Sequence, residues 1–185
     1  MSLIFGVALF GLTLLVPALN VSGQSPPIKI GLLFPYTGPI STVGQDATKG
    51  FELHLTKIGG RAGGREIQLV KEDDEFKPDV GLTKARKLVE RDRVDLLVGP
   101  VNSAVALAIR DYVTRQGIPL VVPVAFSKEL TAPGKASPWL FRVVETTDQG
   151  NFAMGEWIYK KTPHRRIRTT TSRSSHADPP ELRGH

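Results

Sequence analysis

Residues 94–122 read VDLLVGPVNSAVALAIRDYVTRQGIPLVV, and this stretch decides the fold class. It opens on an apolar run of the length of a buried strand and closes on a second such run, Pro119 to Val122. Between the two runs the sequence predicts an amphipathic helix that begins near Ser103 and ends at Gly117. Its apolar residues recur at i, i+3, i+4, i+7 and i+8, and they are Val105, Ala108, Ile109, Tyr112 and Val113. A strand, a helix and a strand with connections this short predict a parallel pair.

The same alternation continues on both sides of this unit. Further strands are predicted at 28–34 (IKIGLLF), 66–72 (EIQLVKE) and 139–144 (WLFRVV). Further helices are predicted at 45–58, from Pro78 to Asp92 and from about Asp148 to Tyr159. We therefore predict an α/β fold, a parallel sheet with helices on both faces. Ligands of such sheets bind beyond the carboxyl ends of the strands, which here are followed by the loops 35–46, 73–78, 99–104 and 123–128.

The two ends of the chain differ from this middle part. Residues 1–23 are expected to be a signal peptide, because Leu3 to Val16 is an uncharged apolar run and small residues precede Gln24, although the first residues contain no Lys or Arg. Residues 162–185 have no strand or helix period and are expected to be disordered. This tail reads as a frameshifted or truncated end, with a basic nucleic-acid arm as the less favoured alternative.

Composition and motifs give little support for catalysis or for a metal. The chain has no cysteine, and three of its four histidines lie in the tail, so no nucleophile and base can be paired by spacing. Four acidic residues at 72–75 would point to opposite faces of a strand, which disfavours a metal site. The glycine-rich run 59–64 follows a helix and lacks the Gly-Lys-Ser/Thr of a phosphate loop, so a turn is expected there. Net charge is +6, and half of it lies in the tail, so no basic folded face and no nucleic-acid partner is expected.

Short motifs in a fixed order carry a family resemblance over residues 28–161. They are KIGLL at 29–33, TGPI at 37–40, Gly44, IGG at 58–60, EDD at 72–74, LVGP at 97–100, NS at 102–103, GIP at 117–119, ELT at 129–131 and FR at 141–142. In this order and spacing they resemble the leucine/isoleucine/valine-binding periplasmic proteins of ABC importers. No single motif is specific, but the ordered set is.

The resemblance implies a fold, a role and a location. Residues 24–161 would be the N-terminal, flavodoxin-like lobe of a type I periplasmic binding protein. In that family two lobes close on a small carboxylate ligand, which the protein delivers to the membrane subunits of an ABC transporter. It is not an enzyme family, and no cofactor is implied. In this family a hinge strand is expected near Arg166-Ile167, but the tail sequence occupies that position. We therefore expect the second lobe to be missing and ligand binding to be weak or absent. A sensor or receptor domain of the same fold is the alternative, and a flavodoxin-like enzyme is less favoured.

The site residues are expected at the start of the third helix and in the neighbouring loops. The hydroxyl of Ser103 and the free amides of that first turn form a natural anion site, and the resemblance assigns the matching serine to the ligand carboxylate. The alternative is that Ser103 is a plain N-cap. Other candidates are Asn102, Val124 and Ala125 through backbone groups, Phe126, and Tyr36 and Thr42 in the first loop.

Phe126 is a departure from the amino-acid binders, which place Thr or Ser there. A phenyl ring cannot hydrogen-bond to an ammonium or carboxylate group, but it can stack on an aromatic ring or pack on an aliphatic chain. Val43 likewise replaces a ligand-contacting aromatic residue of that family. The change at Phe126 favours a carboxylate with a larger apolar body, such as an aromatic or aliphatic acid, over a standard α-amino acid. The alternative is that Phe126 turns into the core.

Overall fold

A computed structural model describes residues 25–163 of the chain. The predicted signal peptide, residues 1–23, lies outside the described residues. So does the predicted tail, except for Thr162 and Pro163. Among residues 25–163, no helix is both long and apolar enough to cross a membrane.

The fold is built on one sheet of six strands. They are β1 (Ile28–Phe34), β2 (Arg61–Ala62), β3 (Arg65–Asp73), β4 (Leu96–Val98), β5 (Leu120–Val122) and β6 (Leu140–Arg142), in the spatial order β2-β3-β1-β4-β5-β6. From β3 to β6 every neighbouring pair is parallel, which confirms the predicted sheet. The glycine-rich turn contains one element that was not predicted, because β2 pairs antiparallel with the start of β3 at the edge of the sheet.

Four α-helices connect or follow these strands. They are α1 (Ser41–Lys57), α2 (Pro78–Arg86), α3 (Ser103–Gln116) and α4 (Thr147–Lys161). The predicted bounds need three corrections. The first loop is shorter than expected, because α1 begins at Ser41, and α2 passes into a π-helical turn, Lys87–Arg91. The strand predicted at 139–144 is shorter, because β6 contains only Leu140–Arg142. The end of α3 is as predicted: Gly117 stands in the left-handed region with a φ of 65°, which glycine adopts without strain.

Apolar clusters fill both faces of the sheet. On one face Leu33, Leu97 and Leu120 pack with Leu88 and with residues of α3 such as Ile109. On the other face Leu32, Phe34 and Val98 pack against residues of α1 such as Phe51. Successive residues of a strand point to opposite faces, so a short apolar run can serve both clusters. Each fully buried Leu or Ile contributes about 1.5–3 kcal/mol of hydrophobic free energy. These two layers hold the carboxyl ends of the strands together at one edge.

The last helix, α4, is attached to this body at its first turn. A capping box closes its start, in which the amide of Gln149 donates to the Thr146 side chain and the Gln149 side chain accepts from the Thr146 amide. The Thr147 amide donates to the Phe126 carbonyl at 3.1 Å, and Lys128 pairs with Asp148 at 3.0 Å. None of its residues is buried. The start of α4 is therefore fixed next to the loop that follows β5.

Candidate functional site

The first turn of α3 lies directly beyond the carboxyl end of β4. Asn102 is its N-cap, and the side-chain Oδ1 of Asn102 accepts a hydrogen bond from the Ala104 amide at 2.8 Å. The alternative prediction that Ser103 is a plain N-cap is therefore wrong, since Ser103 is the first residue of the helix. An Asn at this position is as good a cap as Ser, and it leaves the Ser103 hydroxyl out of the capping arrangement.

The Ser103 hydroxyl lies between α3 and the loop after β5. Its Oγ accepts a hydrogen bond from the Ser127 amide at 3.3 Å. Arg142 also binds this loop: its Nη1 donates to the Ser127 carbonyl at 3.0 Å. A hydroxyl that accepts a hydrogen bond still has its own proton to donate. Within residues 25–163 that proton has no acceptor, so it is available to a ligand.

The electrostatics of this turn favour a negative charge. The amides at the start of a helix lack intrahelical acceptors, and the 14 residues of α3 add a macrodipole with its positive end here. Its first turn contains no acidic residue that would already compensate this potential. One hydroxyl proton and the amides of a helix start can together hold a carboxylate.

Phe126 lies on the surface next to this turn. Its side chain is 44% exposed, so the alternative that it turns into the core is wrong. The neighbouring Ala125 is buried and anchors the loop, and Val124 is partly buried. Because the Ser127 amide binds Ser103 and the Phe126 carbonyl binds the Thr147 amide, the loop 124–127 connects the starts of α3 and α4. The Phe126 ring is thus an exposed apolar group on the loop that connects the two helix starts.

A shallow cavity of about 200 Å³ opens beside this ring. Its lining consists of Phe126, Glu145, Thr146, Thr147, Gly150 and Asn151. Except for Phe126, these residues were not predicted from the sequence. The available signal was the T-x-x-Q pattern of a capping box at 146–149, just after the predicted strand 139–144. The cavity has one apolar wall, Phe126, and polar groups that include the acidic residue Glu145; Asn102 and Ser103 are not among its lining residues. A second cavity, of about 190 Å³, includes Pro26, Arg61 and Glu66 and lies at the opposite edge of the sheet.

The two candidates from the first loop form no hydrogen bond with this turn among the described residues. The Tyr36 hydroxyl shares a hydrogen bond of 2.8 Å with Thr48 of α1, and its ring meets Phe34 edge-on. Burial raises the pKa of Tyr36. Thr42 is exposed on the first turn of α1 and not in a loop. The structure therefore brings together Asn102, Ser103 and the loop 124–127, and it does not join Tyr36 or Thr42 to them by any hydrogen bond.

The acidic residues Glu72, Asp73 and Asp74 have different hydrogen-bond and ion-pair partners. Glu72 is buried and pairs with Lys84 and Lys87; burial raises its pKa, but the two lysines outweigh this and hold the pKa below its usual value. For Asp73, burial likewise raises the pKa, and hydrogen bonds from Thr37 and from nearby amides bring it below its usual value. Asp74 is fully buried, and burial raises its pKa. Among the described residues no group of three or more metal-ligating side chains is placed to hold an ion.

Comparison with known proteins places this geometry in a family. Residues 27–180 match the family described as periplasmic binding protein. The Leu/Ile/Val-binding protein BraC3 of Rhizobium johnstonii is 30% identical over 142 residues, which cover 76% of this chain and 38% of that protein.

Solved structures agree with this placement. An ABC transporter solute-binding protein of R. palustris, solved in complex with benzoate, is 36% identical with a TM-score of 0.69, covering 72% of this chain and 37% of that one. A solute-binding protein of Rhodopseudomonas palustris BisB5 in complex with 3,4-dihydroxybenzoic acid is 27% identical with a TM-score of 0.67, covering 72% and 36%. The chain thus spans under two fifths of the length of these relatives. It belongs to the periplasmic binding protein family, whose model matches most of its length.

Proposed function

We propose that residues 24–161 form the N-terminal ligand-binding lobe of a periplasmic solute-binding protein, and that the first turn of α3 holds the carboxylate of a small ligand. The observation that carries this proposal is the Ser103 hydroxyl, whose oxygen accepts from the Ser127 amide at 3.3 Å while its proton is available. Asn102 caps the helix and thereby leaves Ser103 free for this role. The α3 macrodipole adds to the attraction for an anion.

The ligand is an aromatic or aliphatic acid in this proposal. The exposed ring of Phe126 offers a stacking or packing surface at the place where an amino-acid binder needs hydrogen-bonding groups. The relatives that bind benzoate and 3,4-dihydroxybenzoic acid support this choice, whereas BraC3, a Leu/Ile/Val-binding protein, supports an amino acid. The cavity beside Phe126 is where we place the body of the ligand.

The rest of the transport cycle follows from the family. Residues 1–23 would export the protein to the periplasm, and the ligand would be passed to the membrane subunits of an ABC importer. The relatives are about twice as long as this chain, and in our proposal a second lobe closes over the ligand. Closure of a second lobe adds contacts and excludes water, so one lobe alone should bind weakly.

A thermal-shift panel tests the proposal on the full chain. The ligands are benzoate, isovalerate, leucine and valine at 10 mM, with benzamide as the uncharged match of benzoate. A Kd near 1 mM would stabilise the folded state by about 1.4 kcal/mol, which raises Tm by about 3 to 5 °C. We expect this shift with benzoate and not with benzamide. Stabilisation by leucine or valine alone would refute the inference from Phe126.

A matched variant connects the shift to the proposed residue. Ser103→Ala removes the hydroxyl proton and keeps Asn102 as the cap. The benzoate shift should fall to about 1 °C or less in this variant. A shift of the same size in Ser103→Ala would show that benzoate binds away from α3 and would contradict the proposal.

A further inference from the structure

The loop after β3 contains a turn that ordinary side chains disfavour. Glu75 and Phe76 have φ angles of 50° and 60°, in the left-handed region. This conformation is strained for any residue other than glycine, and it persists only where neighbouring groups hold it. A phenylalanine gains nothing locally from this conformation, so the turn needs an external support.

Two carboxyl groups provide that support: Asp73 Oδ1 accepts from the Glu75 amide at 2.8 Å, and Asp74 holds Phe76 from inside the protein. Its Oδ1 accepts from the Phe76 amide at 2.8 Å, and its backbone carbonyl accepts from the Lys77 amide at 2.8 Å. Its backbone amide donates to Phe34 at the end of β1 at 3.1 Å, which anchors the turn to the sheet. The side chain is fully buried, and its second oxygen, Oδ2, has no hydrogen-bond partner.

The unpartnered oxygen shows that this carboxyl group is costly to bury. A buried polar atom without a partner loses its hydrogen bonds to water and gains none in return, so an apolar residue would suit the interior better. The carboxyl group has one bond that offsets this cost, the one from Oδ1 to the Phe76 amide. A buried carboxyl group at this position therefore needs an explanation, and the contacts of the turn at Phe76 provide one.

The turn positions the cap of α3. The Phe76 carbonyl accepts from Nδ2 of Asn102 at 2.9 Å, while Oδ1 of Asn102 accepts from the Ala104 amide at 2.8 Å. These two bonds use the donor and the acceptor of one amide group, so they fix its orientation. An Asp at 102 could cap the helix but could not donate to Phe76. The loop after β3 thus holds the side chain of Asn102 in place.

We propose that Asp74 is a positioning residue for the anion site: it holds the left-handed turn at Phe76, whose carbonyl orients Asn102 and so sets the amides at the start of α3. Asp74 does not touch the ligand. The proposal rests on the proposed function only for the identity of the anion. The mechanical link from Asp74 to Ala104 stands on four hydrogen-bonded groups and can be tested without any ligand.

Amide hydrogen exchange on the ¹⁵N-labelled full chain tests the link. In Asp74→Ala we expect the Ala104 amide to exchange about fivefold faster or more, the scale of losing part of an N-cap. Ile109, in the middle of α3, reports on global stability and should change much less. Asp74→Asn keeps the acceptor for the Phe76 amide and should leave Ala104 within about twofold of the original rate. An equal acceleration at Ala104 and Ile109 would make Asp74 a purely structural residue and overturn the proposal.

A rescue variant keeps the test decisive if Asp74→Ala folds poorly. Glycine adopts a positive φ without support, so Asp74→Ala combined with Phe76→Gly should restore the slow exchange of Ala104. Failure of this double variant to fold, or to protect Ala104, would contradict the proposal. Benzoate titration of the original chain separates the two ideas: absence of any benzoate response would refute the proposed function, while fast Ala104 exchange in Asp74→Ala would still support the positioning role.

Discussion

Gly81 allows α2 and α3 to approach each other at the site. A Cβ atom placed on Gly81 would overlap Cγ1 of Val105 and would lie 3.5 Å from Cβ of Val105 and 3.6 Å from Cβ of Asp74. Val105 is fully buried in the first turn of α3, and its branched side chain has little rotamer freedom in a helix. Gly81→Ala must therefore push α3 away from α2 and disturb the turn that we assign to the ligand.

The size of the effect follows from two opposing terms. Replacing glycine by alanine inside a helix stabilises it by about 1 kcal/mol, and overpacking a dense core costs about 1–3 kcal/mol. We expect a net loss of about 1 kcal/mol for Gly81→Ala. Gly50 is the matched control, because it is exposed within α1 and a Cβ there meets nothing within 4 Å. Gly50→Ala should stabilise the protein by about 0.5–1 kcal/mol.

Urea unfolding of the full chain measures both variants. The midpoint should fall for Gly81→Ala and rise for Gly50→Ala at an unchanged m-value. Adding Val105→Ala to Gly81→Ala removes the overlapping methyl groups, so the two changes together should cost less than the sum of the single variants. If Gly81→Ala stabilises as much as Gly50→Ala does, the helices are not in close contact and the reasoning is refuted.

Three further predictions concern charge and ligand. Glu72→Gln should destabilise the chain by about 1 kcal/mol at pH 7, because it removes the charge that pairs with Lys84 and Lys87. The effect is small because both lysines are partly exposed and solvent screens their charges. Because the folded pKa of Glu72 is lowered, this stabilisation exists above its usual pKa and is lost as the pH falls through the lowered value, so unfolding curves of the two proteins should converge in acid. Phe126→Thr should weaken benzoate binding roughly 3- to 10-fold in a thermal-shift titration and should favour leucine. An unchanged preference for benzoate over leucine would contradict the assignment of Phe126 as the apolar wall of the site. Ser103→Ala should weaken benzoate about tenfold or more, as expected for a lost hydrogen bond to a charged group, and circular dichroism should show an unchanged helix content.

Much of the fold could be predicted because each element carries its own signal. The apolar run of β1 and the apolar stripe of α3 gave the element types, and Gly117 gave the end of α3. The parallel sheet followed from short connections between these elements. Topology then placed Ser103 at the carboxyl edge, where the structure confirms that it lies.

What could not be predicted depends on contacts between distant residues. Asn102 and Ser103 are both good caps, and the structure shows Asn102 as the cap, with its side-chain amide bound to the carbonyl of Phe76, 26 residues away. The left-handed turn at Phe76 contains no glycine, so the sequence has no local signal for its positive φ. The cavity beside Phe126 forms because the Thr147 amide is bound across the chain to the loop after β5. Such features need the folded geometry and cannot be derived from local patterns.

The central claim is that the start of α3 holds a carboxylate. The most direct measurement is a pair of titrations of the ¹⁵N-labelled full chain, one with benzoate and one with benzamide, followed through the backbone amide resonances. We predict saturable shifts for Ser103, Ala104 and Ser127 with benzoate and none of comparable size with benzamide. Equal shifts with both compounds, or benzoate shifts centred on the opposite edge of the sheet around Arg61, would contradict the account.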